Sequence, residues 1–180
     1  VKSLLARDPE NRNYKRYALV LMEDAKGQAR DDLILKFIKE EKDDLTRYVA
    51  LASYYNERKD EENTRVYMDK AETLRPDDPG IIEKQFGLAL TAHDWERANK
   101  YALRNGKLNL DGTEGKIAEG RLALAKGRVE MAAGRGAEAR EFYEQAIDLM
   151  KVGLQKYRSY SLGWTYLSQA LLAAARIEEA

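Results

Sequence analysis

The stretch YVALASYYNERKDEENTRVYMDKAETLRP, residues 48–76, decides the fold. Its first half contains apolar or small side chains at the spacing i, i+3, i+4 and i+7: Tyr48, Leu51, Ala52 and Tyr55. That spacing places all four on one face of an α-helix. The second half carries a similar set, and the polar residues 58–60 between the halves are typical of a turn. The stretch therefore predicts two helices joined by a tight turn.

Segments of this kind fill the rest of the chain. Pro occurs three times, and the period-two alternation typical of strands is hard to find. The breaks between segments are short and rich in Gly, Pro, Ser and Asp: residues 25–27, 58–60, 75–80, 92–94, 105–112, 134–136 and 159–161. We therefore expect an all-α protein whose helices form antiparallel pairs.

The pairs follow a repeat. A known 34-residue helix-pair unit has small and large side chains at fixed distances before a Pro. Counted back from Pro76, the residues at those distances have the expected sizes: Ala71, Met68, Thr64, Tyr55, Ala52, Leu51 and Tyr48. Thr64 and Ala98 are also 34 residues apart. The first-helix pattern recurs near both ends, at Tyr14, Tyr17, Ala18 and Leu21 and at Trp164, Leu167, Ser168 and Leu171. The chain thus resembles the tetratricopeptide-repeat family along essentially all of its length.

The resemblance implies a right-handed superhelical α-α solenoid of antiparallel helix pairs. No single pair buries its apolar face alone, so neighbouring pairs stack, with Tyr55, Trp95 and Trp164 expected in the gaps between helices. We expect one array over 1–180, divided into the tail of a preceding repeat at 1–9, repeats at 11–43, 45–78 and 79–112, an extended repeat at 113–158 and a truncated repeat at 161–180.

The extended repeat is predicted from two long intervals. Ala98 to Ala139 and Ala139 to Ala180 each span 41 residues, seven more than 34, which is about two helical turns. Both extensions project from the same end of an antiparallel pair. There we expect apolar side chains of the two extensions to pack together: Ile117 and Leu122 on Leu149, Val152 or Leu154.

Both ends of the sequence are interpreted as parts of repeats. Residues 1–6 are typical of the end of a preceding repeat, and residues 177–180 of the start of a second helix. We therefore expect a fragment of a longer array. Its leading helix Trp164–Ala174 would lack part of its cover, which favours self-association through that C-terminal helix.

The amino-acid composition argues against some classes of function. Lys plus Arg and Asp plus Glu number 31 each, so no global field favours nucleic acid or an acidic membrane. No apolar run reaches the roughly 18–20 residues that span a bilayer, so membrane insertion is not expected. No signal peptide is visible, although the sequence begins at Val1. Localisation stays open, with the cytoplasm slightly favoured.

Catalysis is not expected. His93 is the only His and Cys is absent, so a zinc site would need carboxylates alone, which suits zinc poorly. Gly134-Arg135-Gly136 lacks the strand and the Gly-Lys-Ser/Thr element of a phosphate loop. The sequence therefore predicts no enzymatic activity, no cofactor and no metal.

The resemblance implies an adaptor that binds a peptide or partner protein on its concave face, which is lined by the first helices. Side chains expected to face that groove are Lys15, Leu19, Ser53, Asn56, Glu83, Leu90, Arg121, Arg128 and Gln169. Arg121 and Arg128 are seven residues apart on one face and could hold an acidic group.

The sequence bears on three other kinds of helical-repeat protein. Family members that clamp a terminal carboxylate with Lys and Asn are disfavoured, because Leu19 replaces an Asn and Glu83 lies on the third helix. RNA-reading helical repeats need a basic groove that is absent here. The alternative is a regulatory or substrate-presenting array attached to a glycosyltransferase- or kinase-like enzyme, with no activity of its own.

Overall fold

The computed structural model describes residues 28–108, 112–156 and 158–178, which form eight α-helices and no strand. The helices are α1 (Gln28–Lys39), α2 (Asp44–Glu57), α3 (Glu61–Leu74), α4 (Pro79–Thr91), α5 (Trp95–Leu108), α6 (Thr113–Ala132), α7 (Gly136–Lys156) and α8 (Ser161–Glu178). The predicted all-α fold is confirmed. The segments predicted before residue 28 lie outside the described residues.

Aspartates cap the starts of four helices, and Asp94 does so for α5 by accepting from the Arg97 backbone N–H at 3.1 Å. The carboxylates of Asp43, Asp60 and Asp78 accept hydrogen bonds from backbone N–H groups three residues later, at 2.8, 3.0 and 3.1 Å. Each satisfies an N–H group that the first helical turn leaves without a partner. Side-chain donation by Thr46, and then its backbone N–H, hold the pKa of Asp43 below its ordinary value.

Two tight turns place non-glycine residues in the left-handed region. Lys59 has φ 58° in the α2–α3 turn, and His93 has φ 55° in the α4–α5 turn. Gly134 takes φ 77° at the corresponding point between α6 and α7, where it avoids the steric cost of a Cβ atom. All three turns fall at breaks predicted from the sequence.

The described residues divide into two compact units between Arg75 and Pro76. In the first unit α1 packs on α2, and α2 packs on α3. Its buried side chains come from α2 and α3: Leu51, Ala52, Tyr54, Thr64, Met68 and Ala71. Half-buried Tyr55 stacks on Tyr67 with ring centroids 5.6 Å apart, so Tyr55 lies between helices as expected.

In the second unit each helix packs on the next, from α4 through α8, and α8 also contacts α6. The α6–α7 pair is antiparallel, because Gly120 of α6 faces Met150 whereas Gly127, two turns later, faces Tyr143. Side-by-side packing of successive antiparallel helices is the arrangement of an α-α solenoid. The positions of the repeat boundaries stay a prediction.

Two clusters form the core of the second unit. The first joins α4, α5 and α6 through Ile82, Phe86, Ala89, Ala98, Tyr101, Ala102, Ala118 and Leu122. The second joins α6, α7 and α8 and includes Ile117, Leu124, Tyr143, Met150, Leu154 and Leu167. Helices α6 and α7, of 20 and 21 residues, contribute the most buried side chains.

Three packing expectations can be compared with these clusters. Ile117 and Leu154 share a core, as expected. Leu122 lies instead in the α4–α6 cluster, and Val152 is 50% exposed. Trp95 packs against the first cluster. Trp164, on the leading helix that was expected to lack part of its cover, is 46% exposed.

Candidate functional site

Helices α4, α6 and α8 surround a cavity of about 440 Å³ in the second unit. Its apolar lining comes from all three helices and includes Leu90, Leu124, Val129 and Tyr166. Its polar lining is Thr91, His93, Arg121, Arg128 and Gln169. Cations and apolar groups line this cavity without a carboxylate, so it suits an apolar group that carries negative charge.

Arg121 ties the three helices together at one end of this cavity. Its guanidinium lies 4.8 Å from the centre of the Phe86 ring on α4 and 4.6 Å from that of Tyr166 on α8. It also forms a 2.6 Å ion pair with Glu83 of α4. Only 13% of the Arg121 side chain is exposed, against 48% for Glu83. Arg121 is therefore already paired and stacked, which suits a positioning role.

Arg128, two turns further along α6, has a more exposed and less strongly paired side chain than Arg121. It is exposed, and its guanidinium donates a 2.9 Å hydrogen bond to the neutral Oε1 of Gln169 on α8. Among the described residues no carboxylate forms an ion pair with it. A guanidinium group forms a stronger hydrogen bond with a carboxylate than with a neutral amide oxygen. Arg128 is thus the cation of this cavity best placed to bind an incoming carboxylate.

His93 closes one side of the cavity through the α4–α5 turn. Its ring stacks on Trp95 with centroids 5.1 Å apart, and the residue is exposed to solvent. The interpretation of His93 as a structural or solvent-facing residue agrees with this geometry. It also lines the cavity, which the sequence pattern did not indicate.

Half-buried Tyr160 packs against the core cluster of α6, α7 and α8, and buried Tyr143 belongs to it. Burial raises the pKa of Tyr160, and the negative charges of Glu114 and Glu83 raise it further. Burial likewise raises the pKa of Tyr143 on α7. Both hydroxyls therefore stay protonated and uncharged through the physiological range, and neither supplies a base.

The sequence-predicted groove residues fall into three groups. Lys15 and Leu19 lie outside the described residues. Ser53 and Asn56 are exposed on α2 in the first unit, where the Ser53 hydroxyl donates to the Val49 carbonyl at 3.0 Å. The structure brings the remaining five together on α4, α6 and α8: Glu83, Leu90, Arg121, Arg128 and Gln169.

Several cavity residues escaped the sequence analysis, chiefly Tyr166, Leu124 and Val129. No local spacing singles them out, because it is the spacing of α4, α6 and α8 that places them at a cavity. Over the described ranges, no group of three His, Cys, Asp or Glu side chains could hold a metal ion. No helix in that part of the chain is long and apolar enough to cross a membrane.

No family model matches the sequence, and no curated protein is significantly similar to it. The solved structure MamA MSR-1 C2 is similar over 91% of this chain and 96% of that chain, at 14% identity and a TM-score of 0.46. A likeness at that level carries no argument about function.

Proposed function

We propose that the second unit is a protein-interaction module that binds a peptide segment of a partner protein in the cavity between α4, α6 and α8. One observation supports this most directly: a concave apolar lining with an exposed Arg128 and no lining carboxylate. Pockets with a few convergent polar groups on an apolar wall are typical binding sites. We assign no reaction to these residues.

The chemistry of the cavity selects the segment. Leu90, Leu124 and Val129 favour an apolar side chain, whereas Arg128 favours a carboxylate. The resemblance to tetratricopeptide repeats supports the same use of first-helix surfaces. The bound segment should therefore carry an Asp or Glu close to a Leu, Ile or Phe.

A selection experiment tests this proposal. A random peptide library is displayed and selected on the full chain, and the affinity of enriched peptides is measured by fluorescence anisotropy. Reversing the charge at Arg128 removes a charged hydrogen bond, so Arg128→Glu should weaken binding about tenfold or more. Lys84→Glu is the matched control, because Lys84 is an exposed cation of α4 that does not line the cavity.

A complementary change in the peptide should restore its binding to the Arg128→Glu variant. A selected peptide whose acidic residue is replaced by Lys should regain affinity for Arg128→Glu. Equal loss of affinity in Arg128→Glu and Lys84→Glu would contradict the proposal, and so would enriched peptides that lack acidic residues.

A further inference from the structure

A smaller cavity, of about 230 Å³, lies where the start of α5, the C-terminal part of α6 and the start of α7 meet. Each of these helices packs on a neighbour at either side, so the cavity is in the middle of the α4–α8 stack. Its lining combines two aromatic rings, one aliphatic side chain and two charged groups, all on half-buried residues. We call it the aromatic cavity; it is lined by Trp95, Lys126, Val129, Glu130 and Phe142.

The two charged groups of the aromatic cavity have opposite signs. The Lys126 ammonium lies 5.9 Å from the centre of the Phe142 ring. The Glu130 carboxylate, on a side chain that is 23% exposed, pairs with the Arg135 guanidinium. Hydrogen bonding to Arg135 holds the pKa of Glu130 below its ordinary value, so this carboxylate stays ionised at neutral pH. A charged side chain of either sign would meet a like charge here, and a neutral side chain therefore fits better.

A neutral aromatic side chain with a polar tip matches this lining. Its ring can pack against Trp95 and Phe142, and aromatic pairs are more stable than their buried area alone accounts for. The Lys126 ammonium attracts the face of such a ring as well. A carboxylate accepts more than one hydrogen bond, so Glu130 can accept from a hydroxyl while it stays paired with Arg135. Tyrosine supplies both the ring and the hydroxyl donor, whereas phenylalanine and leucine lack the donor.

The aromatic cavity adjoins the cavity between α4, α6 and α8. Val129 lines both of them. The His93 ring, which lines the first cavity, stacks on the Trp95 ring of the aromatic cavity with centroids 5.1 Å apart. The first cavity also includes Thr91 and Ala132, the last residues of α4 and α6, so both cavities reach the same edge of the stack. One peptide that passes over the α4–α5 turn can therefore occupy both.

We propose that the aromatic cavity binds a tyrosine side chain of the same partner peptide whose acidic residue pairs with Arg128. The tyrosine ring packs against Trp95 and Phe142, and its hydroxyl donates a hydrogen bond to Glu130. This inference rests on the proposed peptide site between α4, α6 and α8, to which it adds a second anchor. The preferred segment then carries a tyrosine at a fixed distance from its acidic and apolar residues.

The first experiment needs no peptide. N-acetyl-tyrosinamide is titrated into the full ¹⁵N-labelled chain, and the amide and indole chemical shifts are followed. We expect changes at the Trp95 indole N–H and at the Phe142 backbone amide. The affinity should be about tenfold higher than that of N-acetyl-leucinamide, which has neither the ring nor the hydroxyl.

The second experiment adds the peptide. A library with one fixed acidic residue is selected on the full chain, and we expect tyrosine to be enriched at one distance from that residue. Replacing this tyrosine by Ala should weaken binding about thirtyfold on the unmodified chain but hardly on Phe142→Ala, which lacks one wall. Gln145→Ala is the matched control and should behave as the unmodified chain does, because Gln145 is exposed on α7 and lines neither cavity.

A second variant isolates the hydrogen bond, and it keeps the proposal testable if Phe142→Ala does not fold. Glu130→Met preserves the length of the side chain and removes its acceptor. Replacing the peptide tyrosine by Phe should weaken binding about fivefold on the unmodified chain and leave binding to Glu130→Met unchanged.

Arg128→Glu separates the two anchors. It should weaken the peptides without changing the affinity of N-acetyl-tyrosinamide, so failure of the peptide site and failure of the aromatic cavity give different results. The proposal is overturned if N-acetyl-tyrosinamide shifts neither Trp95 nor Phe142, or if tyrosine is not enriched. A loss on replacing the tyrosine by Ala that is equal on the unmodified chain and on Phe142→Ala would also overturn it.

Discussion

Arg121 shows how a single side chain organises the second unit. Its guanidinium contacts Phe86 and Tyr166 and pairs with Glu83, so one residue of α6 reaches both α4 and α8. A cation between two aromatic faces is stabilised by both ring quadrupoles, and more strongly when water is excluded. The ion pair adds less, because Glu83 is about half exposed and solvent screens it.

We predict that Arg121→Ala lowers the free energy of unfolding by about 2 kcal/mol, mostly through the lost ring contacts. Arg121→Lys should restore less than half of this, because an ammonium group keeps the charge but not the planar stacking. Urea denaturation followed by circular dichroism measures both. Arg65→Ala, at an exposed i,i+4 pair on α3, is the control and should cost at most about 0.5 kcal/mol. Equal effects of Arg121→Ala and Arg65→Ala would contradict the role given to Arg121.

The sequence could place Arg121 and Arg128 on one helix face, because seven residues are two helical turns. It could not distinguish their roles. Arg121 is the one that stacks on rings and forms an ion pair, because Phe86, Tyr166 and Glu83 lie next to it. These partners are on other helices, and the sequence spacing within α6 does not show how close they lie.

Among the helices, α5 and α6 approach closely through glycine. A Cβ atom added to Gly115 of α6 would lie 2.5 Å from the Gly106 Cα and 3.0 Å from its backbone nitrogen on α5. Backbone atoms cannot rotate away as a side chain can. The contact between these two helices therefore requires Gly at position 115, whatever helical propensity prefers.

We predict opposite signs for two Gly→Ala substitutions. Gly115→Ala should lower the free energy of unfolding by about 1–3 kcal/mol, because α5 and α6 must move apart. Gly87→Ala on α4 should raise it by about 0.5–1 kcal/mol, since an added Cβ meets nothing within 4 Å there and Ala is the better helix former. Thermal or urea denaturation of the two variants gives the comparison. A stabilised Gly115→Ala would show that α5 and α6 are not in this contact.

Helix existence and helix ends were largely predictable from sequence. Short polar turns that contain Gly or Asp mark the ends of α2, α4 and α6, because Gly and Asp take turn conformations at low cost. The break predicted from residue 105 was too early, since α5 continues to Leu108. Asn105 is buried, and its amide lies 3.5 Å from the Glu83 carboxylate, so tertiary contact keeps a residue typical of turns inside the helix.

At the scale of the whole molecule, the repeat pattern predicts stacking of first helices and therefore a shared surface along them. In the second unit that surface contains the cavity between α4, α6 and α8, and five of the predicted groove residues lie on its helices. The cavity itself was not predictable. The cavity depends on the distances between α4, α6 and α8. Those distances are set by the packing of large and small side chains in two separate core clusters.

The most direct test is a map of amide chemical shifts in the ¹⁵N-labelled chain as a selected acidic-apolar peptide is added. The account predicts that the largest changes fall on α4, α6 and α8, at Leu90, Leu124, Arg128, Val129, Tyr166 and Gln169. Because all these residues report one binding event, their shift changes should saturate together at one Kd. Changes confined to α2 and α3, or to the α7–α8 surface around Trp164, would contradict the claim that this cavity is the peptide site.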